Sequence, residues 1–239
     1  LFTTFNFVRF YEKKDGNQQT WNMDGGDDLL EKYDELDPRF AQTIAAHGAN
    51  WNTEIGILNF LPGGAHNVAN KTKHLVRKWV PRVLRATAPR NSTNMDWIVF
   101  RVAELYLNYA EALNEYYETP PKEAFDAVLK VRERSGMPGF PSTLNKEQFR
   151  EKLRRERAVE LAYEDHRFWD IRRWLIADDE GVMKGAMYGL QLSAVTGAPG
   201  KVHYKPYVFE NRLWSDRSYL HPIKQTEIDK GYMLQNPGW

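Results

Sequence analysis

Residues 147–176 read EQFREKLRRERAVELAYEDHRFWDIRRWLI, and this stretch is the most informative about the fold of the 239-residue chain. It contains no Gly or Pro and is dense in Arg and Glu, a composition that predicts a long charged helix. At its start, Asn145 and Gln148 have the spacing of a capping box, in which each side chain accepts a hydrogen bond from the other residue's backbone N–H. The sequence therefore places the first turn of this helix directly after Asn145.

The carboxylates of this stretch allow two interpretations. In the first, Glu156 and Glu160 lie one helical turn apart and act as acid and base, as in a glycoside hydrolase. Glu164, Asp170 and His166 could join them, but one helix supplies neither a cleft nor the required separation of the carboxylates. In the second interpretation, a ladder of ion pairs along one side of the helix holds it to its neighbours. We favour the ladder of ion pairs and expect no catalytic residue. The predicted members of the ladder are Arg157, Glu160, Glu164 and Arg167.

Three other side chains of the stretch have structural interpretations. His166 has no second His at ligand spacing on the same helix, so we do not interpret it as a metal ligand. Trp169 and Trp174 lie in the most regular part of the chain, which predicts that both rings pack in the core or between helices.

Composition excludes several classes of function. The formal net charge is +1, with acidic and basic residues interleaved, so the chain has no concentrated basic face for nucleic acid. The absence of cysteine excludes disulfides, Cys-ligated zinc and a thiol nucleophile within this sequence. No apolar run approaches the roughly 20 residues that span a bilayer. Because the sequence begins with Leu1, we expect a processed or truncated N-terminus.

The residues before the charged stretch predict a helical hairpin. Apolar residues recur at helical spacing within 96–117, where Asp96 is placed to cap the first turn. Thr119-Pro120-Pro121 separates this helix from a second one that ends at Gly136. The predicted inward faces comprise Val102, Leu105, Tyr106, Tyr109 and Leu113 in the first helix, and Ala124, Ala127, Val128 and Val131 in the second.

The rest of the chain is less regular. Residues 17–70 predict mostly loop, with one short helix from about Asp27 or Asp28 to Leu36 and a short strand at 43–46. An edge strand or extended segment is predicted for 74–84, where Pro81 excludes a central position. We predict a Gly- and Met-rich loop for 181–201, an extended segment for 202–220 and one helical turn at 226–230. We divide the chain into a loop-rich, ligand-facing segment (1–95) and a helical scaffold with the C-terminal segment (96–239), together forming one domain.

Candidate ligand-binding residues lie in the irregular N-terminal segment. Trp21 and Trp51 occur among polar residues rather than on a periodic apolar face, so each ring either anchors its loop or is presented to a ligand. Aromatic faces suit sugar rings, and amides suit sugar hydroxyls. We therefore predict ligand binding by Trp21 and by Trp51 with its neighbours Asn50 and Asn52, and keep loop packing as the alternative.

One acidic turn is a candidate cation site. Asp24, Asp27 and Asp28 surround Gly25-Gly26, and such oxygen donors suit a hard cation such as Ca²⁺. The turn lacks the spaced ligands and terminal Glu of an EF-hand loop, so a solvated loop is our default interpretation. We expect no other cofactor.

Several motifs together resemble one family. The segment DWIVFRVAELYLNYAEALNE (96–115) is similar to a helix of the SusD/RagB family, and the resemblance extends to VRERSGMP (131–138) and RRERAVELAYEDHRFWDIRRW (154–174). It continues in LHPIKQTEIDKGYMLQNPGW (220–239), with YEKKDG (11–16) and DPRF (37–40) in the expected order. Asp165 departs from the pattern, since the family often has Gly or another residue at ease with positive φ there, so a sharp break at this point remains an expectation.

The resemblance implies a fold and a function. It implies the C-terminal half of a mainly α protein, with tetratricopeptide-like helix pairs, long irregular loops and few short strands. It also implies glycan binding at the cell surface, for import through a SusC-like TonB-dependent transporter of the outer membrane. The membrane attachment it implies is a lipid on an N-terminal cysteine that this sequence lacks. The alternatives are a peptide-binding, RagB-like member and an assembly subunit without its own ligand.

Overall fold

The elements of the chain were assigned in a computed structural model that describes residues 2–67, 70–83 and 96–239. In chain order they are α1 (Phe5–Val8), α2 (Leu29–Glu35), α3 (Arg39–Thr43), β1 (Ile44–Ala46), β2 (His74–Val76), α4 (Val102–Tyr116), α5 (Lys122–Glu133), α6 (Lys146–Glu160), α7 (His166–Arg173), β3 (Gly185–Ala194), β4 (Val202–Arg212), a 3₁₀ turn (Asp216–Tyr219) and α8 (Gln225–Ile228). The fold is mainly α, as predicted. Leu84, the end of the predicted edge strand, lies outside the described residues.

Helices α4, α5 and α6 enclose one hydrophobic core. Leu107 and Ala110 of α4 pack with Val128 of α5 and with Phe149 and Leu153 of α6. The four residues predicted to point inward from α5 are all buried, and Gly136 follows that helix with φ +77°. The predicted helical hairpin is confirmed.

The buried side of α4 differs from the prediction. The helix begins at Val102 with Arg101 as its N-cap, so Asp96 does not cap it. Val102, Leu105 and Tyr109 are 61%, 51% and 51% exposed. The face with Leu107 and Ala110 is the one that packs against α5 and α6. Periodicity identified an apolar stripe without identifying which side of the helix the neighbours cover.

A second core joins the N-terminal segment to a β-hairpin. Phe5, Tyr11, Leu29 and Ile44 are fully buried there and pack with Leu190, Leu192 and Tyr204 of the hairpin, which come from far along the chain. The short helix after Asp28 and the short strand β1 are confirmed, and β1 pairs antiparallel with β2. The division of the chain at residue 95 stays a prediction.

The predicted loop at 181–201 is largely a strand. Residues 185–194 form β3, which pairs antiparallel with β4, and Leu190 lies opposite Pro206. The sequence does contain the alternation of a half-buried strand, since Leu190 and Leu192 are buried while Gln191 and Ser193 are exposed. The Gly residues outweighed this alternation in the prediction, although Gly189 is needed for a close backbone contact described below.

The charged stretch itself follows the prediction at both ends of its first helix. The capping box is present, with Asn145 Oδ1 accepting from the Gln148 N–H at 2.9 Å and Gln148 Oε1 accepting from the Asn145 N–H at 3.1 Å. Helix α6 ends at Glu160, and α7 starts after Asp165, which has φ +66°. The sharp break expected at Asp165 is therefore confirmed.

Candidate functional site

The charged stretch contributes to a buried network of ion pairs between the two cores. Arg39, which is 4% exposed, lies at its centre. Its Nη1 donates to Glu156 Oε1 at 2.5 Å and to Glu160 Oε2 at 2.8 Å, and its Nη2 donates to Asp37 Oδ2 at 2.6 Å. Arg132 Nη1 donates to the second oxygen of Glu156 at 2.7 Å. The DPRF motif thus connects the N-terminal core to α6.

The network extends to the start of α4. Arg101 pairs with Glu160 and donates from Nε to Glu164 Oε2 at 2.7 Å, while Lys78 also pairs with Glu164. Arg157 Nε lies 3.1 Å from Asp170 Oδ2. The predicted ladder along one helix side is wrong, because α6 ends at Glu160. Glu160 and Glu164 instead pair with cations from elsewhere in the chain.

This environment keeps the carboxylates ionised. Burial alone would raise the pKa of Glu160, but the charges and hydrogen bonds of Arg39 and Arg101 together lower it to about 2. The pKa of Glu156 is likewise lowered by Arg39 and Arg132 against the opposing effect of burial. Acids with such low pKa values hold no proton to donate at neutral pH and are weak bases. The geometry therefore favours a structural role, and the absence of a catalytic residue stays a prediction.

The free energy of unfolding should fall in two stages as the pH is lowered. His74 is fully buried, and burial lowers its pKa to about 3, so only the unfolded state gains its proton below about pH 6.5. We expect the free energy of unfolding to fall from pH 6.5 downward, with a slope of up to about 1.4 kcal/mol per pH unit for this group. Below pH 4.5, protonation of Glu160 in the unfolded state adds to the slope until about pH 2.

Urea unfolding at pH 7, 5.5 and 4 measures this dependence. The Tyr33 hydroxyl and His74 Nε2 form a hydrogen bond of 2.7 Å. His74→Gln keeps both a donor and an acceptor for this hydroxyl, and should flatten the curve between pH 6.5 and 4.5. An unchanged slope in that variant would show that His74 is not the titrating group.

The other side chains of the charged stretch are more exposed than predicted. Trp169 is 62% exposed, so its expected place in the core is wrong, whereas Trp174 is half-buried and donates from Nε1 to Glu111 at 2.7 Å. His166 Nε2 lies 3.5 Å from Glu104. Within residues 2–67, 70–83 and 96–239, no three His, Asp or Glu side chains form a group that could hold a metal ion.

Trp21 is packed into the N-terminal core. Its ring makes edge contacts with Phe5 at 5.1 Å and Tyr204 at 6.0 Å, and the ammonium of Lys32 lies 5.7 Å from the ring centroid. These contacts favour the loop-anchoring interpretation. Ligand contact by Trp21 stays a prediction.

Trp51 lies at the edge of the same core in a short loop. The guanidinium of Arg77 stacks 5.5 Å from its ring centroid and also donates to the Asn50 carbonyl at 3.2 Å. Asn52 Oδ1 accepts from the Ile55 N–H at 2.8 Å, so this side chain shapes the loop, while Asn50 is exposed. The structure brings these three predicted residues together and places Trp21 apart from them in the core.

The acidic turn has its own partners. Asp27 Oδ1 lies 2.6 Å from His203 Nδ1, and Asp28 lies 3.3 Å from Lys32, whereas Asp24 is exposed. A histidine and a lysine of the protein thus already contact two of the three carboxylates. Ca²⁺ binding at Asp24, Asp27 and Asp28 stays a prediction that this geometry does not favour.

Sequence reasoning missed an open groove of about 580 Å³ between the segments 62–67 and 70–73 on one side and the β3–β4 hairpin on the other. Leu190 and Leu192 supply apolar surface there. Its polar lining comprises Asn67, Asn70, Lys71, Lys73, Gln191 and Tyr207. The groove combines amides, ammonium groups and a phenol with a strand face, so it offers hydrogen-bonding groups and positive charge to a polar ligand. The cluster Asn-Lys-Thr-Lys at 70–73 was the available sequence signal, but only the pairing of β3 with β4 brings Gln191 and Tyr207 to it.

Comparison with known proteins identifies the family. The profile of the SusD family matches residues 3–239, almost the whole chain. This chain belongs to the SusD family. The contacts of the DPRF segment, the capping box and the break at Asp165 are thus features of a SusD-family chain.

Two solved structures and one sequence relative agree with this assignment. A SusD-like protein from Bacteroides fragilis matches with a TM-score of 0.82 and 27% identity over 100% of this chain and 47% of its own. A SusD homologue from Bacteroides thetaiotaomicron matches with a TM-score of 0.58 and 27% identity, over 88% of this chain and 42% of its own. A SusD-like protein P25 from Formosa agariphila is 40% identical over 95 residues, which are 38% of this chain and 18% of that protein. The SusD-family chain described here therefore spans less than half the length of these relatives.

Proposed function

We propose that this protein captures a glycan at the cell surface and delivers it to a TonB-dependent transporter of the outer membrane. The observation that carries the proposal is membership of the SusD family across residues 3–239. The polar groove and the Trp51 loop supply surfaces suited to sugars, whereas the carboxylates of the charged stretch are occupied by cations. Attachment to the outer membrane through a lipid is part of the same proposal. Among the described residues, no helix has the length and apolar character to cross a membrane.

Titration calorimetry tests the proposal against its alternatives. Pools of oligosaccharides and of peptides are titrated separately into the folded protein, and affinity purification from outer membranes tests for a co-purifying transporter. We expect heat from at least one oligosaccharide pool and recovery of a TonB-dependent transporter. Binding of peptides alone would replace the glycan proposal with the peptide alternative. No binding to either pool would leave an assembly subunit.

A separate assay tests the absence of catalysis. We expect no new reducing ends when the protein is incubated with any polysaccharide that it binds. Product release that disappears in a folded Glu160→Gln variant would contradict the proposal and establish a hydrolase.

Alanine variants of the two tryptophans should have different effects. Trp51→Ala should keep the fold and weaken binding of the captured glycan by about tenfold, the loss of one aromatic–sugar contact. Trp21→Ala should instead lower the free energy of unfolding by about 2 kcal/mol, because its ring contacts the buried rings of Phe5 and Tyr204. Calorimetry and urea unfolding on both variants measure the difference. Unchanged glycan affinity in folded Trp51→Ala would exclude this loop from the binding site.

A further inference from the structure

The groove between the 70–73 segment and the β-hairpin is built on a fixed backbone. The Tyr207 hydroxyl donates to the Lys71 carbonyl oxygen at 3.0 Å. Gly189 lies against the same carbonyl, so closely that a Cβ at position 189 would be 2.0 Å from Lys71 O. The hairpin therefore holds the backbone of Lys71 in place while its side chain is exposed.

A buried amide organises the other side of the groove. Asn70 is 4% exposed, and its Oδ1 accepts from the backbone N–H groups of Thr72 at 2.7 Å and Lys73 at 2.8 Å. These bonds stabilise the loop where Lys73 adopts φ +56°. The Nδ2 group of Asn70 has no hydrogen-bond partner among the described residues. A buried donor without an acceptor costs about 1–3 kcal/mol, so a ligand oxygen that reached it would be favoured.

The charge around the groove has one sign. Lys71 and Lys73 line it, and Lys205 lies directly opposite Gln191 on the same outward face of the hairpin. No Asp or Glu lines the groove, and no described carboxylate forms an ion pair with Lys71 or Lys205. Lys73 Nζ donates to Asn67 Oδ1 at 2.7 Å. Lysine side chains with no described acidic neighbour at the groove favour an anionic ligand, which can pair with their ammonium groups.

Aromatic surface adjoins these cations. Tyr207 lines the groove, and the β-bulge beside Tyr188 displaces Phe209, whose ring lies 5.9 Å from the ammonium of Lys71. A bulge of this kind re-aims a side chain relative to a regular strand. Ring faces pack against the C–H groups of sugars, and the amides of Asn67 and Gln191 can bond hydroxyls.

We infer that this groove binds an acidic glycan, one bearing uronate carboxylates or sulfate esters, with Lys71 and Lys205 pairing with its anionic groups. The inference rests on the proposed function and deepens it, because it names the class of glycan. A neutral sugar would gain hydrogen bonds from the amides but nothing from the charges. An acidic one gains charge-assisted hydrogen bonds, which are about twice as strong as neutral ones.

Calorimetry with four probes tests the inference. The probes are oligogalacturonides, sulfated carrageenan oligosaccharides, neutral galactan oligosaccharides of the same length, and an acidic peptide of equal charge. We expect one of the two acidic saccharides to bind at least about tenfold more tightly than the neutral one at low salt, with an advantage that shrinks as ionic strength rises. Which of the two binds distinguishes carboxylate from sulfate.

Charge-removing variants locate the effect. Lys71→Gln and Lys205→Gln should each lower the affinity for the acidic saccharide by about fivefold to tenfold. The affinity for any neutral saccharide that binds should stay within about twofold of the wild-type value. Lys122→Gln, on the solvent-exposed face of α5, is the matched control and should not change affinity. Equal or tighter binding of the neutral saccharide, tighter binding of the acidic peptide, or wild-type behaviour of both groove variants would overturn the inference. Binding of neutral saccharides would still support the proposed function, whereas no binding by any saccharide would contradict that function itself.

Discussion

Glu156→Ala is expected to lower the free energy of unfolding by about 3–5 kcal/mol, the cost of removing one partner from a buried ion pair. Glu156 is 4% exposed and accepts from both Arg39 and Arg132, which are themselves 4% and 2% exposed. The substitution leaves two buried guanidinium groups with fewer acceptors. Because Arg39 belongs to the N-terminal core and Arg132 to α5, we expect both cores to loosen together.

Urea unfolding against a matched control measures this effect. Glu151 lies on the same helix, is exposed, and among the described residues pairs only with Arg154 at 3.3 Å. Glu151→Ala should therefore cost less than about 1 kcal/mol. Equal effects of Glu151→Ala and Glu156→Ala would mean that the buried network does not stabilise the fold.

Gly189→Ala is expected to have the second largest effect. The added Cβ would meet the Lys71 carbonyl oxygen at 2.0 Å and the carbonyl carbon at 2.9 Å, so the hairpin and the loop must separate. We expect a loss of about 2–3 kcal/mol in the free energy of unfolding, as for overpacking in a close-packed region. The same separation displaces Lys71 and should reduce glycan affinity by more than tenfold.

Gly139→Ala is the control for this substitution. A Cβ at Gly139 would meet only Leu129 Cδ1 at 3.4 Å, an ordinary contact distance. Its stability and glycan affinity should remain close to those of the unsubstituted protein. Wild-type stability and affinity in Gly189→Ala would show that the loop and hairpin do not depend on this close approach.

Local signals predicted much of the helical half of the fold. The capping box at Asn145, the inward residues of α5 and the left-handed Asp165 each depend on a few neighbouring residues, and each was confirmed. The exposed stripe of α4 shows the limit of this reasoning. An apolar stripe tells which residues favour burial, whereas the partner that covers a helix depends on contacts distant in sequence.

The candidate site required long-range pairing, which is why the sequence did not reveal it. Gln191 and Tyr207 reach the 70–73 loop only because β3 pairs with β4 and packs on the N-terminal core. The sequence placed ligand binding before residue 96, and Asn70 to Lys73 do lie there, but half of the groove comes from the hairpin. Polar residues in a loop indicate a surface; a groove forms only where two such surfaces meet.

The charged stretch has a clear role in this account. Its carboxylates form ion pairs with Arg39 of the DPRF motif, Arg132 of α5 and Arg101 at the start of α4. The stretch therefore connects parts of the chain that are far apart in sequence. Residues that identify the family are thus also residues that hold the two cores together. The proposed binding surfaces lie outside the network, on loops and a hairpin that it helps to position.

Hydrogen–deuterium exchange with and without bound glycan tests this division of roles most directly. We predict that glycan binding slows amide exchange in peptides from 47–61, 70–76 and 189–209. Peptides from 150–173 should show no change. Protection confined to 150–173, with no change in the loops and the hairpin, would contradict this division of roles. It would indicate that the charged stretch itself binds the glycan.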